Sequence, residues 1–304
     1  MDNPQEIEKF NKKRWLAGFF DVNGSIGIKK NPFIDISNTS SRTRFYIGLI
    51  LNKLNIDYST NSNINTKSSK NPRWDIFIRD KNILYFINAF INNVYGKRKQ
   101  LDLMNEYLLC KDDKIDYEEK IQFINQFNNI IINKNKMSEV ETIVNNNYFD
   151  KYADIVFLND DDKEIVTYDT FNDFCYIAGI LDASGNFTIS HYNNKYIVSI
   201  CLINTNKEVI KRFCSVLKNN QIGYHINFRD ASTVSIRRRW DITIYGWKKC
   251  YKLCNKVSDK MHTKKEQCEL IKEYCYYNIL NDNYDEKLGA SCKKALENIK
   301  KGLY

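Results

Sequence analysis

Trp15-Leu-Ala-Gly-Phe-Phe-Asp-Val-Asn-Gly-Ser-Ile26 decides how the rest of this sequence is read. An apolar, helix-compatible run closes on Asp21 and Gly24 and feeds a short alternating stretch. The arrangement returns as Tyr176-Ile-Ala-Gly-Ile-Leu-Asp-Ala-Ser-Gly-Asn-Phe-Thr188. Other landmarks return with it. Asn38-Thr39 recurs as Asn204-Thr205, Ile56-x-Tyr58 as Ile222-x-Tyr224 and Trp74-Asp75-Ile76 as Trp240-Asp241-Ile242, each 166 residues later (38 to 204, 56 to 222, 74 to 240). Lys97-Arg-Lys-Gln100 is echoed by Lys264-Lys-Glu-Gln267. Landmarks that keep order and spacing at so long a period mark a tandem duplication.

Each copy reads in the same order. A helix of about ten residues ends at Gly24 or Gly185, a residue type suited to helix ends and tight turns. Two alternating stretches follow as a hairpin: Ser25–Ile28 with Phe33–Ile36, and Phe187–Ile189 with Tyr196–Ile200. Amphipathic helices come next at 43–54 and 206–219, then strand pairs ending in Trp74–Ile78 and Trp240–Tyr245. Helical stretches at 82–92 and 98–110, matched by 246–257 and 264–279, close the copies. The expected class is α+β, an αββαββα unit used twice about a pseudo-two-fold. The first repeat is set at 1–124, an Asn- and Asp-rich linker with weak helical signal at 117–133 occupies 125–170, and the second repeat spans 171–304.

Composition narrows the function classes. A length of 304 residues suits two domains of ordinary size. A net charge of +9 suggests a polyanionic partner. No apolar run approaches the roughly 18 residues of a membrane span, and the N-terminus lacks the apolar core of a secretory signal. Nine cysteines are scattered without a CxxC pair, so free buried thiols are expected and no structural metal. His191, His225 and His262 share no ligand spacing and receive no metal role. Three prolines among abundant Asn, Lys, Ile and Tyr fit coding by an A/T-rich genome, such as many organelles have.

The repeated helix carries the sharpest signal. Ala17 with Gly18, and Ala178 with Gly179, place small residues at one position in both copies. A helix-interior Gly costs on the order of 1 kcal/mol against Ala, so its double occurrence calls for close approach of two helix backbones, with these four residues at the interface between the repeats. Leu16-Ala-Gly-Phe-Phe-Asp-Val-Asn-Gly24 and Ile177-Ala-Gly-Ile-Leu-Asp-Ala-Ser-Gly185 resemble the two signature helices of the LAGLIDADG homing endonuclease family in its single-chain, two-repeat form. The resemblance implies paired motif helices at the centre, two antiparallel sheets forming a saddle over a nucleic-acid duplex, and metal-dependent DNA cleavage. Because the repeats are fused, it calls for no homodimer.

The sequence departs from that pattern where the family places its metal-binding carboxylates. Those positions hold Asn23 and Ser184. Magnesium favours carboxylate oxygens, and neutral ligands bring no compensating charge. Asp21 and Asp182 lie two residues earlier, about 200° around a helix, and belong to the helix end. The family's basic residue near the last helix aligns on Tyr95 and His262, with Lys97 and Lys264 nearby as substitutes. The expectation is therefore a non-enzyme without catalytic residues or cofactor, magnesium being required only if cleavage is retained.

Nucleic-acid contacts are expected from Lys29, Lys30, Arg73, Arg79, Lys97, Arg98, Lys99, Arg237, Arg238 and Arg239, on the sheets and their loops. Trp74 and Trp240, at equivalent positions, read as core residues. With binding retained and cleavage lost, the favoured partner is RNA rather than DNA. The role is structural: part of an organellar ribosome or a maturase-like splicing ribonucleoprotein, in a mitochondrial or other organellar matrix and away from membranes. A working DNA endonuclease and a non-cleaving DNA-binding protein are the alternatives.

Overall fold

Apolar alternation of period two builds both sheets, and a 3.6-residue period builds the helices that cover one face of each. The computed structural model describes residues 4–28, 31–63, 73–110, 171–229, 239–281 and 285–302. The linker expected at 125–170 lies outside them. In the first repeat the order is α1 (Pro4–Asn23), β1 (Gly24–Ile28), β2 (Pro32–Asn38), α2 (Ser41–Lys53), β3 (Ser59–Asn63), β4 (Arg73–Arg79), α3 (Lys81–Phe90) and α4 (Arg98–Cys110). The second runs α5 (Phe174–Ser184), β5 (Asn186–Tyr192), β6 (Lys195–Asn204), α6 (Lys207–Asn219), β7 (His225–Arg229), β8 (Arg239–Tyr245), α7 (Trp247–Val257), α8 (Lys265–Asn281) and α9 (Glu286–Gly302). The sheets are antiparallel, ordered β1-β2-β4-β3 and β5-β6-β8-β7. Register repeats as well as order: Asn38 faces Trp74 as Asn204 faces Trp240.

Ile26, Ile28, Ile34, Ile36, Ile76 and Ile78 point to the helix side of the first sheet and are buried. Phe187, Ile189, Val198, Ile200, Leu202, Trp240, Ile242 and Ile244 do the same in the second. Trp240 thus lies in the core beside Phe228, while Trp74 is half-buried beneath the Arg44 guanidinium at 4.1 Å. Side-chain oxygens start the helices. Ser40 accepts from the Thr43 N–H, Asn206 from those of Glu208 and Val209, and Asp173 from those of Cys175 and Tyr176.

Three elements exceed the sequence reading. α1 has 20 residues instead of about ten, because the polar segment before Trp15 continues the helix. The β5–β6 hairpin is longer than expected and turns on Asn193 and Asn194, both at positive φ (48° and 58°), as a tight two-residue turn that matches strand twist requires. α9 was absent from the reading. It is amphipathic, buries Cys292 and Leu296, and reaches the second sheet, where Lys300 donates to Asn186 Oδ1 at 3.0 Å. The eight described cysteines are free thiols, and Cys250, Cys254, Cys268 and Cys275 are fully buried.

Candidate nucleic-acid interface

The centre of the molecule is the contact between α1 and α5. A methyl group built on Gly18 would stand 2.1 Å from the Tyr176 carbonyl oxygen, and one on Gly179 would stand 2.0 Å from that of Trp15. No side chain fits there. Ala17 and Ala178 are completely buried beside these glycines.

Two crossed hydrogen bonds lock the pair. Trp15 Nε1 on α1 donates to Asp182 Oδ2 on α5 at 2.9 Å, and Tyr176 Oη on α5 donates to Asp21 Oδ2 on α1 at 2.6 Å. Each carboxylate also receives backbone N–H groups from the turn before its own repeat's later helix. For Asp21 these come from Tyr95 and Lys97, at 2.8 Å each. For Asp182 they come from His262, Thr263 and Lys264, at 2.7, 3.2 and 2.7 Å. Burial raises the pKa of both acids, and these hydrogen bonds oppose it. Asp21 and Asp182 are therefore structural.

The lysine of each turn reaches the C-terminal end of its motif helix. Lys97 Nζ donates to the Asp21 carbonyl; Lys264 Nζ donates to the carbonyls of Leu181 (3.2 Å) and Gly185 (2.8 Å). Cations there complement unpaired carbonyls and the helix dipole. Burial lowers the Lys264 pKa to about 8, against the pull of Asp182.

The rings of Tyr95 and His262, where the family's basic residue aligns, are taken up by the contact between the repeats. His262 stacks on Tyr46 of the other repeat at 3.7 Å and meets the edge of Trp15, and burial lowers its pKa to about 4. In the mirrored contact, Arg212 of α6 lies 4.1 Å over the Tyr95 ring. Both residues seal the seam, because their backbone N–H groups are drawn to the buried acids while their rings turn to the opposite repeat. Thr43 and Thr263 hydroxyls meet at 2.7 Å, and Asn206 Nδ2 donates to the Gly96 carbonyl at 2.6 Å, along the same seam.

Asn23 and Ser184 end the two motif helices and are half-buried. Ser184 Oγ is a buried atom without a hydrogen-bond partner. Among the described residues no group of three or more His, Cys, Asp or Glu side chains is placed to hold a metal ion. One amide, one hydroxyl and two ammonium groups do not fit a hard divalent cation, and no chemical step is assigned to one here.

The sheet faces turned away from the helices form the remaining surface. On the first stand Ser25, Phe33, Asp35, Ser37, Asn61, Arg73, Asp75, Phe77 and Arg79. Arg73 Nε donates to Asp75 at 2.7 Å and its Nη2 to Ser37 Oγ at 2.6 Å; Asp35 accepts from Ser25 and Ser37. On the second stand Ile197, Ser199, Cys201, Ile203, His225, Asn227, Arg229, Arg239, Asp241, Thr243 and Tyr245. Asp241 pairs with Arg229 and Arg239, as Asp75 does with Arg73. Sequence reasoning passed over these aspartates. Their recurrence within Trp-Asp-Ile was the available signal, and they orient guanidinium groups that would otherwise swing freely. Of the basic residues singled out beforehand, Arg73, Arg79 and Arg239 lie on the faces. Lys97, Arg98 and Lys99 open α4, where Arg98 pairs with Asp102. Lys29, Lys30, Arg237 and Arg238 fall outside the described residues.

No family model and no curated protein matches the sequence. Solved structures do. The crystal structure of the LAGLIDADG homing endonuclease I-GzeII in complex with its DNA target superposes with a TM-score of 0.61 at 15% identity, covering 96% of this chain and 98% of that one. The fold is that of the LAGLIDADG homing endonucleases. The meganuclease I-SmaMI bound to uncleavable DNA matches with a TM-score of 0.57 at 11% identity and the same coverages of 96% and 98%. Both LAGLIDADG-fold structures are nucleases by name, which corrects the expectation of a non-enzyme. That expectation came from two side chains, Asn23 and Ser184, and the fold around them is the one those nucleases share.

Proposed function

We propose that this protein binds one DNA duplex along the two outward sheet faces, with the paired ends of α1 and α5 at the middle of the bound segment. One observation carries the reading. Two sheets of identical order and register, related by the α1–α5 pair, each present a row of alternating side chains with carboxylate-held guanidinium groups among them. B-form DNA has a major groove wide enough for a β-ribbon, and its base edges are legible to such side chains. The DNA-bound I-GzeII and I-SmaMI structures, alike in fold, support the same ligand.

RNA was the expected partner, on composition and on the residues at the helix ends. The wide, shallow minor groove of an RNA helix was the third ground, and it is read by shape more than by base edges. An A-form duplex has a deep, narrow major groove closed to side chains, and its readable loops are single-stranded. The built faces favour DNA.

The test is fluorescence anisotropy with randomised DNA and RNA duplexes over a salt series, repeated for Arg73→Ala combined with Arg239→Ala. Tighter binding to DNA, a negative salt slope and a shallower slope in the variant are the expected results. Preferential binding of RNA, or a slope untouched by the variant, overturns the reading. The nucleases alike in fold are reason to assay the selected duplex for strand scission with magnesium or manganese.

A further inference from the structure

The two outward faces share a register but not a chemistry. Where the first carries Ser37, Asp35 and Arg79 opposite Asp75, Phe77 and Phe33, the second carries Ile203, Cys201 and Tyr245 opposite Asp241, Thr243 and Ser199. Ile203 is 43% exposed and Tyr245 46%. The Thr243 hydroxyl donates to Cys201 Sγ at 3.6 Å, so the residue offers its methyl group and, on the oxygen, only acceptor sites. Ile197 extends the row toward the β5–β6 turn.

Cationic side chains stand at both ends of this apolar row: Lys195 by the turn, Arg229 and Arg239 at the far end. A partner that is apolar at its centre and anionic on its flanks matches the pattern. Inside the major groove, the one apolar group on a base edge is the C5-methyl of thymine, and phosphates line both sides. The distances agree. Outward residues two apart lie about 6.7 Å from each other along a strand, close to two base steps of about 3.4 Å.

We infer that the second repeat reads a thymine-bearing half of the target through Ile197, Cys201, Ile203, Thr243 and Tyr245, while the first repeat, with Asp35, Ser37, Arg73 and Arg79 around its two phenylalanines, reads its half mainly by polar contacts. This rests on the DNA reading above and names the specificity of the same surface. The target is then asymmetric, with methyl groups recognised chiefly on one arm.

Selection from random duplexes should enrich sequences with thymines concentrated in one arm. In the selected duplex, deoxyuridine replaces thymidine, first in that arm and then in the other. Removing one buried methyl group weakens binding about 4-fold, and removing two about 15-fold. The same exchange in the other arm should have the smaller effect. Because the exchange is made in the DNA, the protein's folding is untouched. Ile203→Ser, at an exposed position, should abolish the thymidine–deoxyuridine difference nearest it. Duplex binding with no methyl dependence, or with equal dependence in both arms, overturns the inference and leaves the DNA reading standing. Failure to bind any DNA duplex overturns both.

Discussion

Replacing Gly18 with Ala tests the centre of the molecule directly. The new methyl would lie 2.1 Å from the Tyr176 carbonyl oxygen, whereas carbon–oxygen contacts settle near 3.3 Å, so α1 and α5 must part by about 1.2 Å. That movement opens a gap in a seam of fully buried side chains, where overpacking alone costs about 1–3 kcal/mol. It also stretches the Trp15–Asp182 and Tyr176–Asp21 bonds from 2.9 and 2.6 Å toward breaking, each worth about 1.5–3 kcal/mol because the acceptor is charged. Better helix propensity returns about 1 kcal/mol. The net expectation is a loss of about 3–8 kcal/mol. Gly179→Ala should match it, because its methyl meets the Trp15 carbonyl at 2.0 Å. The double variant carries the sharper test. A single separation of the helices relieves both clashes, so the double loss should fall well short of the sum of the single losses. Urea unfolding followed by circular dichroism supplies all three values. A Gly18→Ala protein within 0.5 kcal/mol of the parent (about one tenth of the total expected for a domain), or strict additivity, would refute the close-contact reasoning.

Removing the Tyr176 hydroxyl (Tyr176→Phe) takes one donor from buried Asp21 and should lower stability by about 1–3 kcal/mol in the same assay. Burial holds the folded-state pKa of His262 near 4, below its ordinary 6.5, so its contribution is present above pH 6.5 and is lost as the pH falls toward 4. Denaturation midpoints between pH 7 and 4.5 should therefore fall more steeply for the parent than for His262→Phe, and parallel curves would count against this. With no carboxylate at Asn23 or Ser184, millimolar magnesium and then excess EDTA should leave the melting temperature unchanged, whereas a magnesium-dependent rise would reveal a cation site elsewhere. Arg79→Ala, at an exposed position on the first face, should weaken DNA binding at low salt and have little effect at high salt, as titrations at two ionic strengths would show.

The duplication made the fold legible. Gly18 alone is an ordinary helix glycine; Gly18 and Gly179 in register demand a helix–helix contact, and the alternation around Trp74 and Trp240 fixes which face is core. Elements outside the repeat were harder. The start of α1 is polar, and α9 lies beyond the last repeated landmark, Lys264–Gln267. The seam was illegible for another reason. Tyr46 and His262 touch across more than two hundred residues, and no local pattern announces such a partner. The outward aspartates were hidden by an assumption about charge, since a surface meant for a polyanion was searched for cations. The non-enzyme reading failed through weight: two side chains were allowed to speak for a scaffold of some 300 residues.

The crossed bonds at the centre also set an order of events on the ribosome. Asp21 emerges early, yet the hydroxyl that satisfies it belongs to Tyr176, 155 residues later, and Trp15 waits 167 residues for Asp182. At about 5–20 residues per second, the leading half spends on the order of ten seconds with its motif helix unpartnered and an apolar stripe open to water. Its sheet and outer helices have local partners and can form meanwhile, but the final register cannot. The apolar side of α1 stays uncovered until the chain's own second copy of the same helix arrives.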